Sequence, residues 1–355
     1  MDLPNLNASI HRKSRYSMTF GFLLFFVLVL FLLDLFIGSV KITPSQFLNS
    51  VFSKGVLHDS FLTTILNEFR LPRCLTAILA GMALSVSGLQ MQTIFRNPLA
   101  GPYVLGISSG ASLGVAILVL GVLPVFSGIM PHLPGNWAIL IAAAFGAAAV
   151  LFLILLVSAR VNDIMTILIL GLLFGGAVSA IVNILQYFSD EYSLRSFVLW
   201  NMGSLSGVTQ AQLKILVPAI ISGLIIALLT SKVLNALLLG ETYAKTLGVN
   251  ISLSRFLIFL STSLLAGGIT AFCGPIGFIG IAVPHLARML FKTSNHHVLM
   301  PASMLLGAIM MIISDMICQL PGTDIVLPVN SVTALLGIPV VIWVLFKNIR
   351  ISAIN

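Results

Sequence analysis

Apolar runs of about twenty residues, broken by short polar or proline-containing stretches, fill the chain from Met18 to Phe346. Hydropathy windows of about 19 residues predict spans near 18–38, 75–95, 103–123, 137–158, 164–187, 212–232, 253–273, 276–291, 299–318 and 331–347. A helix needs about 20 predominantly apolar residues to cross the hydrocarbon layer, and these runs approach that length. Breakers separate them at Thr43-Pro44, Asn97-Pro98, Pro131 to Gly135, Ser189 to Glu191, Gly240-Glu241, Gly274-Pro275 and Pro321-Gly322. The pattern predicts an all-α polytopic membrane protein with ten transmembrane helices. The segment 276–291 is the least regular, because Pro284 lies inside it and Arg288 near its end. The expected organisation is an N-terminal segment 1–17, a membrane domain 18–347 and a tail 348–355.

Composition agrees with the pattern. Hydrophobic residues make up 58% of the 355 positions and charged residues 8%, against roughly 25% charged in soluble domains. Too few polar residues exist to cover a water-exposed surface, so a soluble enzyme is excluded. The net charge of +8 reflects where lysine and arginine sit. With the N-terminus inside, twelve of them fall in inner segments and six (Lys41, Lys54, Arg70, Arg73, Arg195, Lys214) in outer ones. Positive charge is retained on the cytoplasmic side, so both termini are expected there. No aromatic residues interleave with the basic ones, which argues against nucleic-acid binding. The basic start (His11, Arg12, Lys13, Arg15) precedes an apolar run longer than the 7–15 residues or so of a signal-peptide core, and is read as the entry to a first span.

A faint internal echo links two stretches. Arg70-Leu-Pro-Arg73, a span with Gly81 and Gly88, and Asn97-Pro98 to Gly106 find a counterpart in Arg255, a span with Gly267 and Gly268, and Gly274-Pro275 to Gly280. One copy starts outside and the other inside, the arrangement of an inverted internal repeat.

Candidate chemistry is sparse. No Gly-x4-Gly-Lys-Ser/Thr loop occurs; Gly240 to Thr246 lacks the glycine before Lys245 that lets backbone wrap phosphate. The chain is therefore expected to hydrolyse no ATP itself and to bind no cofactor or metal. Asp34 and Asp315 are the carboxylates at membrane depth, each alone in sequence, and Cys74, Cys273 and Cys318 read as small buried hydrophobes. The His296-His297 pair reads as part of a solvated turn. Two lone aspartates make a thin ion relay, which leaves an ion-coupled secondary transporter as the alternative and points instead to energy from a partner. The loop 237–249 suits such a partner: Glu241 and Lys245 stand one helical turn apart, and Gly248 offers a stop. Small-residue pairs Gly110/Gly114 and Gly171/Gly175 predict close helix approach, the first pair within one chain. Ser179, Asn183 and Gln186 share one helical face of the fifth span.

Five stretches together resemble one family. They are Arg70-Leu-Pro-Arg73 with Gly81 and Gly88; Arg96-Asn-Pro-Leu-Ala100 with Gly106 and Gly110; Leu239-Gly-Glu-Thr-Tyr-Ala244 with Leu247-Gly248; Gly274 to Gly280 with Pro284-His285 and Arg288; and Leu327-Pro328 with Thr333 to Gly337 and Pro339. In this order the chain resembles the FecCD-type permease subunits of binding-protein-dependent ABC importers for iron-siderophores, haem and cobalamin. The resemblance implies a bacterial inner-membrane homodimer, or a dimer with a close paralogue, whose pathway runs between subunits. It further implies two ATP-binding subunits that use the ATP and an extracytoplasmic substrate-binding protein. Carried over residue by residue, it puts Leu238, Leu239, Gly240, Glu241, Ala244, Lys245, Leu247 and Gly248 in the ATPase-coupling loop. Arg70 would face the binding protein, and Asn97 and Leu99 a cytoplasmic gate; the family's fifth helix borders the pathway, which favours a pathway role over an interhelical hydrogen-bonding one for the shared face of Ser179, Asn183 and Gln186. The chain departs from the family pattern where Gln319 replaces an outer arginine, where Val326 and Asn330 replace an acidic residue and a glycine, and where Asn295-His296-His297 stands for Asp-His-Arg.

Overall fold

A computed structural model describes residues 6–37, 60–122, 135–161, 163–320 and 325–352. Lys41, Lys54, the breakers at Thr43-Pro44, 131–134 and Pro321-Gly322, and the chain ends at 1–5 and 353–355 lie outside the described residues. Among these the secondary structure is helical throughout. The helices are α1 (Leu6–Phe36), α2 (Leu71–Ile94), α3 (Ile107–Ala116), α4 (Gly135–Arg160), α5 (Ile164–Phe188), α6 (Glu191–Asn201) and α7 (Gln210–Leu229). They continue as α8 (Ser231–Leu238), α9 (Glu241–Thr246), α10 (Ile251–Thr262), α11 (Gly268–Cys273), α12 (Ile279–Phe291), α13 (His296–Cys318) and α14 (Val329–Ser352). Wide π-turns extend α2 backwards over Ile65–Arg70 and join α10 to α11 over Ser263–Gly267.

Among the described residues, seven helices are long and apolar enough to cross a membrane. Three shorter apolar helices, Ile107–Gly121, Ile279–Phe291 and Val329–Val344, fall on the predicted spans 103–123, 276–291 and 331–347. Local sequence explains most boundaries. Asp163 caps α5, accepting from Met165 N and Thr166 N. Thr209 and Gln212 form a reciprocal capping box at α7, and Asn295 caps α13. The helix α6 was not foreseen. The polar stretch 189–191 reads as a breaker, yet Asp190 accepts from Ser193 N at 3.0 Å and starts a new helix rather than only ending the old one.

The centre is built on glycine. At Gly88 and Gly81 of α2, an added methyl group would collide with the backbone of Gly280 and Gly307, so α2 lies backbone to backbone with α12 and α13. The two echo stretches thus meet in space. Gly110 and Gly114 of α3 sit in the same way on Gly146 and Ala142 of α4, within one chain as expected. Such contacts replace the hydrophobic effect as the adhesive in lipid, where apolar side chains gain nothing by leaving the solvent.

Candidate functional site

The ends of α2, about 36 Å apart for 24 residues, carry two distinct polar regions. At its C-terminal end lies the predicted coupling loop 237–249, which takes in the last two residues of α8 and the short helix α9. Gly240 joins them at φ +117°, a conformation that side chains rarely adopt. Gly248 ends α9 at φ +82°, its N–H donating to Lys245 O at 3.0 Å. The buried Ala244 anchors α9, while Lys245 stays exposed. Leu238, Leu239 (66% exposed), Tyr243 and Leu247 all project outward. An apolar patch thus surrounds a groove of about 670 Å³ lined by Phe95, Arg96, Asp163, Leu239, Glu241 and Tyr243. Thr166 holds the Asp163 carboxyl below the usual carboxylate range, first through its hydroxyl and then through its backbone N–H.

Glu241 does not use the predicted neighbour. Its Oε1 accepts from Arg255 Nη2 at 2.6 Å, tying α9 to α10. The i,i+4 spacing to Lys245 was the visible signal, but a buried guanidinium on the adjoining helix is the stronger partner. Beside the groove, Asn97 Oδ1 accepts from Leu99 N at 2.9 Å and leaves Leu99 exposed. Pro98 O accepts from His285 Nε2 at 2.8 Å. Arg96, at φ +48°, donates to Leu237 O at 3.3 Å.

His296 corrects the solvated-turn reading. Its ring is 1% exposed and touches Asn235 and Thr93 at 2.8 Å each, while His297 reaches Ser231 at 3.1 Å. Among the described residues, no group of three His, Cys, Asp or Glu is arranged to hold a metal ion.

At the opposite end Arg70, 8% exposed, donates to Leu35 O at 2.7 Å and clasps the end of α1. Asp34 and Asp315, each alone in sequence, meet there. Arg73 Nε donates to both Asp315 oxygens at 3.0 and 2.9 Å. Gln319 Nε2 donates to Asp34 Oδ1 at 3.1 Å and Asp315 Oδ2 at 3.0 Å, and Cys74 Sγ donates to Asp34 Oδ2 at 2.9 Å. Gln319, a departure from the family pattern, is the bridge. Asn330, another departure, accepts from Gly277 N at 3.0 Å and donates through its backbone N–H to Met202 O at 3.2 Å, fixing the break before α12. The third, Val326, is exposed, and nothing in the structure explains it.

The residues predicted to line the route lie on α5, which turns much of its length outward. Ser179 and Asn183 are exposed and Gln186 half-buried. The Ser179 hydroxyl donates to Gly175 O at 2.9 Å, and Gln186 O accepts from Ser189. Gly171 packs on the backbone of Val104, whereas Gly175 meets only the hydroxyl of Ser109.

Comparison with known proteins fits this layout. The profile of the FecCD transport family matches residues 26–347. The chain is 37% identical over 340 residues to the vitamin B12 import system permease protein BtuC of Klebsiella pneumoniae, covering 95% of this chain and 96% of that one. It is 37% identical over 325 residues to the Salmonella typhi protein of the same name, covering 91% and 93%. A solved inward-facing conformation of a metal-chelate type ABC transporter superposes with a TM-score of 0.80 at 31% identity, over 93% of this chain and 99% of that one.

Proposed function

Because the chain belongs to the FecCD transport family, we propose that it is the membrane permease subunit of a bacterial ATP-driven importer for a large metal chelate, with cobalamin as the leading cargo. The observation that carries this reading is the 37% identity to a vitamin B12 permease, sustained over 340 residues. Haem and ferric siderophores are the other cargoes of this chemical class.

Seven long and three short apolar helices, with the lysine and arginine distribution, support ten membrane spans with both termini in the cytoplasm. The chain has no nucleotide-binding loop, so ATP hydrolysis falls to separate subunits, two per assembled dimer. Their docking surface is the apolar patch of Leu238, Leu239, Tyr243 and Leu247 beside the groove. Two copies would enclose the route between their α5 helices, lined by Ser179, Asn183 and Gln186, with Asn97 and Leu99 at the inner gate. A binding protein delivers cargo at the other end, where Arg70, which also holds the end of α1, is the docking residue.

The meeting of Asp34 and Asp315 favours an ion-coupled mechanism at first sight. Their four carboxylate oxygens, however, already accept from Arg73, Gln319 or Cys74, the bonding of a cluster that ties the end of α1 to α2 and α13. Proteoliposomes holding the permease, its ATP-binding subunits and the loaded binding protein test the reading. Uptake of cobalamin should require ATP and exceed that of haem and a ferric siderophore. Uptake by the permease alone on a proton or sodium gradient would establish the secondary-transport mechanism instead.

A further inference from the structure

The helix α8 is the arm that carries the coupling helix α9, and its side-chain contacts from Ser231 and Asn235 run to residues 295–297 at the start of α13. Asn235 Oδ1 accepts from His296 N at 2.8 Å and lies 2.8 Å from His296 Nδ1, while Asn235 Nδ2 donates to Asn295 Oδ1 at 2.9 Å. The backbone N–H fixes which end of the amide faces the ring, and an amide oxygen only accepts. Nδ1 therefore carries a hydrogen. In the neutral ring Nε2 keeps its lone pair, and the Thr93 hydroxyl, 2.8 Å away, supplies the hydrogen on that side. That hydroxyl has an alternative acceptor in Leu89 O, also at 2.8 Å. Thr93 lies in the last turn of α2, three residues before Arg96, which itself donates to Leu237 O on α8.

We infer that the buried imidazole of His296 is a positioning residue that transmits movement of the coupling helix, through Asn235 and Thr93, to the end of α2 and the gate loop 96–99. An imidazole is rigid and offers two opposed bonding atoms, so a shift of α8 is passed to α2 with little slack. The ring is 1% exposed, so water does not replace either bond when it breaks, and the ring nitrogen that loses its partner must follow it or be left unsatisfied. This inference rests on the importer reading above, since it needs a partner that moves α9.

The test uses the full chain assembled with its ATP-binding subunits. Leu99→Cys provides a reporter at the gate, and Cys74, Cys273 and Cys318 are buried and stay silent toward a water-soluble thiol reagent. Labelling of position 99 is compared with and without ATP. Thr93→Val removes the hydroxyl, and His296→Asn keeps a donor toward Asn235 but does not reach Thr93. Each should reduce the ATP-dependent change in labelling rate about three- to tenfold, with co-purification of the ATP-binding subunits retained. Thr93→Ser should restore the change, and the double variant should be no worse than either single one. A purely structural role would lower the yield of assembled complex without altering the ATP dependence. Equal ATP dependence in Thr93→Val, His296→Asn and the parent overturns the relay and leaves the importer reading standing. No ATP-dependent change even in the parent overturns the importer reading, and the relay with it.

Discussion

Asp34 and Asp315 come from opposite ends of the chain, and their meeting sets two carboxyl groups beside Arg73, whose Nε–H is shared between both Asp315 oxygens. The two carboxylates are not equivalent. Asp315 is the partner of Arg73, whereas Asp34 accepts only from the neutral groups of Gln319 and Cys74. Asp315→Asn should lower stability by about 3 kcal/mol, as expected when a buried ion pair loses one member. Asp34→Asn should cost under about 1 kcal/mol, the scale of one altered neutral hydrogen bond. Thermal unfolding of the two variants in detergent checks the difference, and equal melting shifts would remove Arg73 from the account. At this scale the sequence was least readable. The positions of Asp34, Asp315, Gln319 and His296 were visible, but hydropathy reports depth in the bilayer and says nothing about which distant side chain waits there.

Elements were more legible, because each helix must satisfy its own backbone in lipid and its length is set by the bilayer. The spans, the stop at Gly248 and the close approach at Gly110 and Gly114 all follow from local composition. What escaped were features decided by neighbours: the helix α6, the widened turns, and the attachment of α9 to Arg255. That attachment separates two effects within one short loop. Glu241→Gln should loosen α9 from α10 and cut binding-protein-stimulated ATP hydrolysis about tenfold, with normal membrane insertion, since a charge-assisted bond contributes about 1.5–3 kcal/mol. Leu239→Lys, at an exposed position, should leave melting within about 0.5 kcal/mol of the parent while abolishing co-purification of the ATP-binding subunits. If Leu239→Lys co-purifies normally, the apolar patch is not the docking surface.

For the whole molecule, a single chain buries α2, α12 and α13 deeply and leaves α5 largely uncovered. An outward face that carries Asn183 among apolar residues suits contact with a second copy and a route between the two. Asn183→Cys with a bifunctional thiol reagent should yield a covalent dimer in membranes, because the native cysteines are buried; a product that stays monomeric would place the subunit contact elsewhere. The glycine seams have a mechanical meaning as well. Where the peptide planes of Gly88 and Gly280, or of Gly81 and Gly307, press directly on each other, no side chain remains to change rotamer and let one helix slide past the next. The middle of each chain then behaves as a solid block, like a gear cast in one piece. In the proposed dimer its stroke would come from pivoting against the second copy, with flexure confined to the thin arms at the rim.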